Sequence, residues 1–436
     1  MVIRIFLSTM NKKFYFSTVN CRVCSSELTN VIELEPQFLS PTFVQSNYKN
    51  NLSEIKVPLT LCICGNKECS LVQLRETTNP DLLYKDYFYR SATNSTMLKD
   101  LKKVVDKAQA FVPLSKNEIV VDIGANDCSM LSYFPKDLKR IAVEPATNID
   151  WSDVDKTIDI INDFFPSEKF THHIKKKKVK IFTSCAMFYD LDNPNLFVQS
   201  IKENLDDDGV WCIQLSYLLS MLKNINFYDI CHEHLSYYSI ETFESVLEGL
   251  NLKLFFAELN EVNGGSIRLF VCRKDNNIYN KEKFTDQLKK LKIEEQQYNL
   301  KAEKTFKEFQ NKIDNIKKKT NLFVDNILNL QKKVFALGAS TKGNILLQHF
   351  GLDKSKIPYI SERNPEKVGL KCLGSDIELI SEEDARLKSP EAFVVLPWNF
   401  KDEIIKREKV YLDNGGILMF PMPYPHTVDK NGEKKL

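Results

Sequence analysis

The 436-residue chain has room for about three domains of ordinary size, and its 43% hydrophobic and 27% charged residues are the balance of a protein that buries conventional cores. Its 60 basic and 58 acidic side chains leave a net charge of +2, too small a field for a polyanion binder, so nucleic acid is not expected as a partner. No run approaches 18 uninterrupted apolar residues, which argues against a membrane-spanning helix, and residues 1–7 are too short and too broken by Arg4 to read as a secretory signal.

Five of the 11 cysteines, Cys21, Cys24, Cys62, Cys64 and Cys69, fall within the first 70 residues. A secreted disulfide scaffold would spread its pairs evenly, so this distribution reads as a reducing, cytoplasmic protein with one local thiolate cluster. Cys21-Arg-Val-Cys24 and Cys64-Gly-Asn-Lys-Glu-Cys69 look like two halves of a tetrahedral Zn2+ site, each pair sharing one tight knuckle. The second pair is wider than usual, and Cys62 competes with Cys64 for the third place. The bland alternative is five unrelated buried cysteines. A closed four-sulfur site has no open position, so the metal would be structural.

Further along, short apolar runs at 119–123, 140–144, 178–183 and 210–215 alternate with helix-length segments, which predicts parallel strands with crossover helices. Runs at 252–258 and 266–272 leave no room for a helix between them and read as an antiparallel addition at the sheet edge. Beyond Asn280 the chain is rich in Lys, Glu and Gln, and Phe306, Phe309, Ile313 and Ile316 form one helical stripe, predicting one or two linking helices with solvated outer faces. Runs at 333–337, 392–396 and 417–420 then suggest a second, smaller α/β unit.

Val120-Val-Asp-Ile-Gly-Ala-Asn-Asp127 ends a strand and enters a turn where Gly124 permits close backbone approach. Glu144 lies 20 residues later at the end of the next strand, where a carboxylate can accept both hydroxyls of a ribose. Cys128 occupies the place of a third glycine, so the pattern favours an adenosine ligand without a pyrophosphate. Asp163 could accept from an adenine amino group or simply cap a helix. Cys231-His232-Glu233-His234 is the densest set of ionisable groups. It suits a general base with a neighbouring carboxylate better than a metal, because a third ligand is not evident; histidines without chemistry are the bland reading. In Gly338-Ala-Ser-Thr-Lys-Gly343, a glycine turn leads toward a helix that carries Lys342, which could meet a phosphate or be a plain surface lysine.

Taken together, the ordered motifs resemble the sugar C-methyltransferases that act on nucleotide-linked keto-deoxysugars. They are Cys21-Arg-Val-Cys24, Cys69-Ser-Leu-Val-Gln-Leu74, Tyr87-Phe-Tyr-Arg-Ser91 with Thr96-Met97, Val121-Asp-Ile-Gly-Ala-Asn-Asp127 and Glu144-Pro145; then Asp163-Phe-Phe165, Cys231-His-Glu-His-Leu235, Asn263-Gly-Gly-Ser-Ile-Arg268, Gly338-Ala-Ser-Thr-Lys-Gly-Asn344 and Trp398-Asn-Phe400.

The resemblance implies an α/β protein in three parts: a zinc-binding domain over 15–85, a class I S-adenosylmethionine domain with a Rossmann-like sheet over 86–275, and long helices plus a second Rossmann-like domain over 276–436. It implies S-adenosylmethionine held by Gly124, Asn126, Asp127, Glu144, Asp163 and Phe164. It places Glu233 and His234 at the reacting carbon with Tyr89 or Tyr87 nearby, and His232 as the weaker base. Lys342, Asn344, Asn364 and Asn399 would face the nucleotide sugar. The expected reaction is C-methylation beside a ketone with His234 as base; the rivals are O-methylation of a nucleotide sugar and non-catalytic binding of one. The expected molecule is cytoplasmic and a monomer or weak dimer. Two departures bear on substrate and proton path: Cys231 stands where many members have tyrosine, and Asp190 where some have an active-site histidine.

Overall fold

The computed structural model describes residues 14–40, 42–45, 55–85, 89–93, 95–279 and 282–436. Its centre is a seven-stranded sheet. From one edge the order is Ile158–Ile161, Lys139–Val143, Ile119–Ile123, Val179–Cys185, Leu205–Ser216, Ser266–Arg273 and Leu252–Asn260. The first five strands are parallel and the last two antiparallel, as expected, with the final strand outermost and its predecessor inserted beside the parallel set. This is the class I methyltransferase order. The residues explain why it forms: Ile-Val-Val-Asp-Ile is buried throughout, because helices cover both faces of a parallel sheet and polar alternation would strand charge inside.

Before this sheet come the strands Leu28–Gln37, Val57–Cys64 and Val72–Leu74, which join the distant pair Ser236–Tyr237 in a four-stranded antiparallel sheet. After it run the helices Glu282–Tyr298 and Glu303–Asn329. The second buries Phe306, Phe309, Ile313 and Ile316, then Thr320, Val324 and Ile327, so the apolar stripe continues further than the sequence motif. It packs against Leu28–Gln37 and against the first strand of the C-terminal unit.

That unit is larger than expected. Its sheet has nine described strands against seven, built on the parallel core Glu378–Ser381, Tyr359–Glu362, Val334–Leu337, Ala392–Val395 and Ile417–Phe420. The excess comes from short antiparallel additions at both edges, and one of them, Phe43–Val44, is donated by the N-terminal region. Among the described residues no helix is long and apolar enough to cross a membrane.

A buried polar ring fastens the central sheet to the helix Ser95–Phe111. Arg268 reaches Asp100 Oδ1 at 3.0 Å and Glu258 Oε1 at 2.5 Å, and its Nε donates to Gln214 Oε1 at 3.0 Å, while Gln214 Nε2 donates to Asp100 Oδ2 at 2.6 Å. Every member satisfies another, which is the condition for burying charge at all. Removing the guanidinium leaves the buried Asp100 charge with only the neutral Gln214 amide as partner, a loss of about 3–5 kcal/mol. Arg268→Ala should therefore lower the urea midpoint clearly, with Arg268→Lys recovering only part; an unchanged midpoint would show that the ring is dispensable.

Candidate active site

The expected metal ligands converge. Cys21, Cys24, Cys64 and Cys69 hold their Sγ atoms within 4.8 Å of one another, with Cys21–Cys69 at 3.7 Å and Cys24–Cys64 at 3.4 Å. Zinc–sulfur bonds of about 2.3 Å set tetrahedral ligands about 3.8 Å apart, so this donor set fits the ion. Cys62 lies outside: its thiol donates to Asn30 Oδ1 at 3.2 Å, and burial pushes it up to about 11. Cys64, next to the turn at Gly65, takes the third place.

One cavity of about 1260 Å³ opens between the central and C-terminal sheets, larger than the usual space for one small ligand. At one end the strand Ile119–Ile123 runs into Gly124, whose φ of +72° and 3.0 Å clearance from Met187 leave no place for a side chain. Glu144 follows the strand Lys139–Val143. Its Oε2 accepts the Asn126 N–H at 2.8 Å and its Oε1 the Ala146 N–H at 2.9 Å. Burial pushes the Glu144 carboxyl up, and these N–H groups oppose that rise. Each oxygen keeps a lone pair for a hydroxyl, as a ribose requires. Gly124, Asn126, Glu144, Asp163 and Phe164 all line this end. Asp163 is not a helix cap, since Ser167 caps the helix Glu168–Ile174.

Asp127 is placed elsewhere. It is absent from the cavity wall, and its carboxylate is occupied by the Ala92 N–H at 2.7 Å and the Ser129 hydroxyl at 2.5 Å. Three residues beyond Gly124, it accepts from the segment 91–93 and fixes that loop beside the Glu144 end.

At the middle of the cavity Glu233 and His234 sit beside Tyr189 and Asp190. The His234 ring lies 4.3 Å from Tyr189, centroid to centroid. Burial and the Lys342 charge push His234 down to about 3, so the imidazole is neutral at working pH. Burial pushes Glu233 up to about 7 against the pull of Lys342. Its electrostatic neighbour is Asp190, itself raised well above the carboxylate range by burial and by Glu233. His232 turns toward the N-terminal region, with Nδ1 3.4 Å from Ser40 Oγ, and burial pushes it down to about 4. Cys231 is fully buried, and burial raises its thiol well above 9, so it remains protonated.

At the far end the helix Thr341–Phe350 brings in Lys342, whose Nζ forms an ion pair with Asp229 Oδ1 at 2.5 Å. Asn364 and Asn399 line the same wall, and Tyr89 borders the cavity on the donor side. Tyr87 lies outside the described residues. Asn344 does not reach the cavity: it is buried two residues further along the helix, with Nδ2 donating to the Leu373 carbonyl at 3.0 Å and the Ser40 carbonyl at 3.3 Å. Two lining or facing acids went unread in the sequence. Asp122, pushed up to about 8 by burial, accepts from the Thr183 hydroxyl at 2.7 Å; a lone charge in a buried strand was its signal. Asp229 gave none, because its partner arrives from another sheet.

Three family models match the chain in tandem: a domain described as zinc binding over 21–84, a methyltransferase domain over 94–255 and a C-methyltransferase C-terminal domain over 261–423. The C-methyltransferase NovU of Streptomyces niveus is 27% identical over 379 residues, spanning 86% of this chain and 88% of NovU. Among solved structures, a chain of the complex between the Haloferax volcanii Trm112 methyltransferase activator and a methyltransferase has a TM-score of 0.35 at 12% identity, covering 43% of this chain and 95% of its own. A S-adenosylmethionine-dependent methyltransferase from Clostridium acetobutylicum gives 0.33 at 10% identity, covering 40% and 92%.

Two outcomes follow from this geometry. Protein purified without chelator should carry one zinc per chain by elemental analysis; Cys24→Ser should lose it with the N-terminal fold, and Cys62→Ser should keep it. Glu144→Ala should weaken S-adenosylmethionine binding at least tenfold by calorimetry, since a charge-assisted contact contributes about 1.5–3 kcal/mol. Wild-type affinity in that variant would reject the ribose role.

Proposed function

We propose, on the premise that this chain belongs to the C-methyltransferases built from these three parts and is a S-adenosylmethionine-dependent enzyme with a structural zinc, that it methylates a carbon next to the ketone of a nucleotide-linked keto-deoxysugar. The observation that carries this reading is one cavity whose wall includes the Glu144 turn, Glu233 and His234, and the Gly338 turn with Lys342. Two ligands entering from opposite ends would meet at those side chains.

The donor supplies an electrophilic methyl on a positive sulfur. The remaining work falls to the chain. A sugar carbon becomes a nucleophile only after losing a proton, and that proton is acidic only beside a carbonyl. His234 accepts it on a ring nitrogen: the C–H bond breaks and its electron pair passes to the ketone oxygen as an enolate. The ammonium of Lys342 stands on this wall as a counter-charge in a low-dielectric site. A donor held at the Glu144 turn would supply the methyl, the carbon–methyl bond forming as the sulfur–methyl bond breaks, with S-adenosylhomocysteine as the leaving group.

One observation favours a second assignment of the base. Glu233 is held near 7, matched to working pH, whereas a conjugate acid near 3 makes His234 a weak base. The two assignments differ in sign with pH. As pH falls from 8 to 5, Glu233 protonates and His234 stays neutral, so a histidine base keeps kcat/KM level while a glutamate base loses about tenfold per unit below 7.

The expected results are a level profile, and in His234→Ala the loss of both methyl transfer and solvent-deuterium exchange at the carbon beside the ketone, with both ligands still bound. Exchange at wild-type rate in that variant, with a falling acid limb that vanishes in Glu233→Gln, would transfer the role to Glu233. S-adenosylhomocysteine release measured across keto and non-keto nucleotide sugars tests the reaction class: turnover of non-keto sugars means O-methylation, and no release with any sugar means binding alone.

A further inference from the structure

We propose that Arg22, a spacer residue of the first cysteine pair, is a positioning residue for catalysis: it braces the two segments that bring Tyr189–Asp190 and Glu233–His234 to the cavity. The inference rests on the reading of Glu233 and His234 as the side chains at the reacting carbon.

It comes from a closed ring of hydrogen bonds. Arg22 stands between Cys21 and Cys24, so the four-sulfur site sets the backbone from which its side chain leaves. That side chain is 3% exposed, and its Nη1 donates to the Leu74 carbonyl at 2.5 Å. The Leu74 N–H bonds the Leu235 carbonyl at 2.9 Å, and the Leu235 N–H bonds the Tyr189 carbonyl at 2.9 Å. Leu235 directly follows His234, and Tyr189 directly precedes Asp190. The ring closes just beyond, at Asp192, whose Oδ1 pairs with Arg22 Nε at 3.3 Å. Thr77 ties its two sides: the hydroxyl accepts from Arg22 Nη2 at 2.6 Å and donates to Asp192 Oδ1 at 3.0 Å.

The rest of the knuckle holds the same two segments. The Arg22 N–H donates to Gln73 Oε1 at 2.9 Å, and Gln73 lies opposite Ser236 in the antiparallel pairing that follows His234. The Val23 carbonyl accepts from Asn195 Nδ2 at 2.8 Å, on the helix Pro194–Asn204 that starts just after Asp192. Thr77, Tyr189, Asp190, Asp192 and Leu235 line the cavity, whereas Arg22 does not, so Arg22 acts through them. A guanidinium suits this task. Its planar fork serves the Leu74 carbonyl, the Thr77 hydroxyl and the Asp192 carboxylate at fixed angles, which an ammonium on a flexible stem cannot do. A displacement of about 1 Å at a reacting group can cost about a hundredfold in rate, so loosening such a brace is felt at the chemical step before it is felt in binding.

The bland role for Arg22 is to finish the cysteine knuckle, and amide hydrogen exchange read by mass spectrometry separates the two. In the full zinc-loaded chain, Arg22→Ala should speed exchange in the peptides that contain Leu74 and Leu235 at least tenfold. Zinc stoichiometry and S-adenosylhomocysteine affinity should stay at wild-type values. Methyl transfer to the nucleotide sugar that wild type turns over best should lose at least tenfold in kcat, with KM within threefold. Arg22→Lys should recover part of both losses. Asp192→Ala opens the ring on the side away from the cysteines and should reproduce them; the double variant should be no slower than the slower single one, because both break one ring. Wild-type exchange at Leu74 and Leu235 in Arg22→Ala overturns the proposal, as does wild-type kcat, or losses that multiply in the double variant. If Arg22→Ala sheds its zinc, Asp192→Ala decides alone, and wild-type exchange and kcat there overturn the proposal. Faster exchange in a chain that transfers methyl to no nucleotide sugar would sink the catalytic reading and leave the brace standing; unchanged exchange in an active enzyme would do the reverse.

Discussion

The active cavity exists only while two sheets from distant parts of the chain keep their distance and angle, and residues 35–40 with the strand Phe43–Val44 enforce both. Gln348 clasps the backbone of Phe38 from both sides, its Oε1 accepting the N–H at 2.9 Å and its Nε2 donating to the carbonyl at 3.2 Å. Glu35 pairs with His349 at 2.5 Å, and Asn344 reaches the Ser40 carbonyl. On the other side Ser40 meets His232. Phe43–Val44 then continues as an edge strand of the C-terminal sheet. The N-terminal region is therefore a strap as well as a zinc module. None of the four cysteines lines the cavity, yet they anchor the region from which the strap is drawn.

This arrangement explains why so many polar residues of the recognisable motifs are buried structural partners. Asn344 and His232 belong to motifs that also line the cavity, yet Asn344 is bound to the strap through the Ser40 carbonyl and His232 meets it through Nδ1 at Ser40 Oγ. A motif is kept together by everything its fold requires, and chemistry is one requirement among several. Lys342 shows the converse: two residues from Asn344 on the same helix, it turns into the cavity and pairs across to the other sheet.

Electrostatically the cavity is a low-dielectric chamber with an excess of carboxyl groups. Asp122, Glu144, Asp190 and Glu233 all lie above the ordinary carboxylate range because burial penalises their charge. Such a chamber attracts a cationic donor and favours protonated carboxyls near an acceptor oxygen. Asp190 beside Glu233 gives this chain a paired-carboxyl character where a histidine would have supplied a neutral ring.

Local order was legible in the sequence wherever one short segment carries the whole physical reason. Parallel strands followed from buried β-branched runs, the long helix from one apolar stripe, and the zinc site from two close cysteine pairs. The Gly124–Glu144 pocket followed from a turn and an acid one strand later. What linear spacing could not decide was which member of a motif faces the ligand, because that depends on elements arriving from elsewhere. Cys64 over Cys62 was settled by the Asn30 side chain on a paired strand. Asp127 was turned away by the Ala92 N–H, and Asn344 by the carbonyls of Ser40 and Leu373. The sequence alone determined which backbones could form, since local sterics and periodicity act over a few residues. Only the tertiary structure decided which side chains share a cavity, since a buried polar group must find its partner wherever the packed chain provides one.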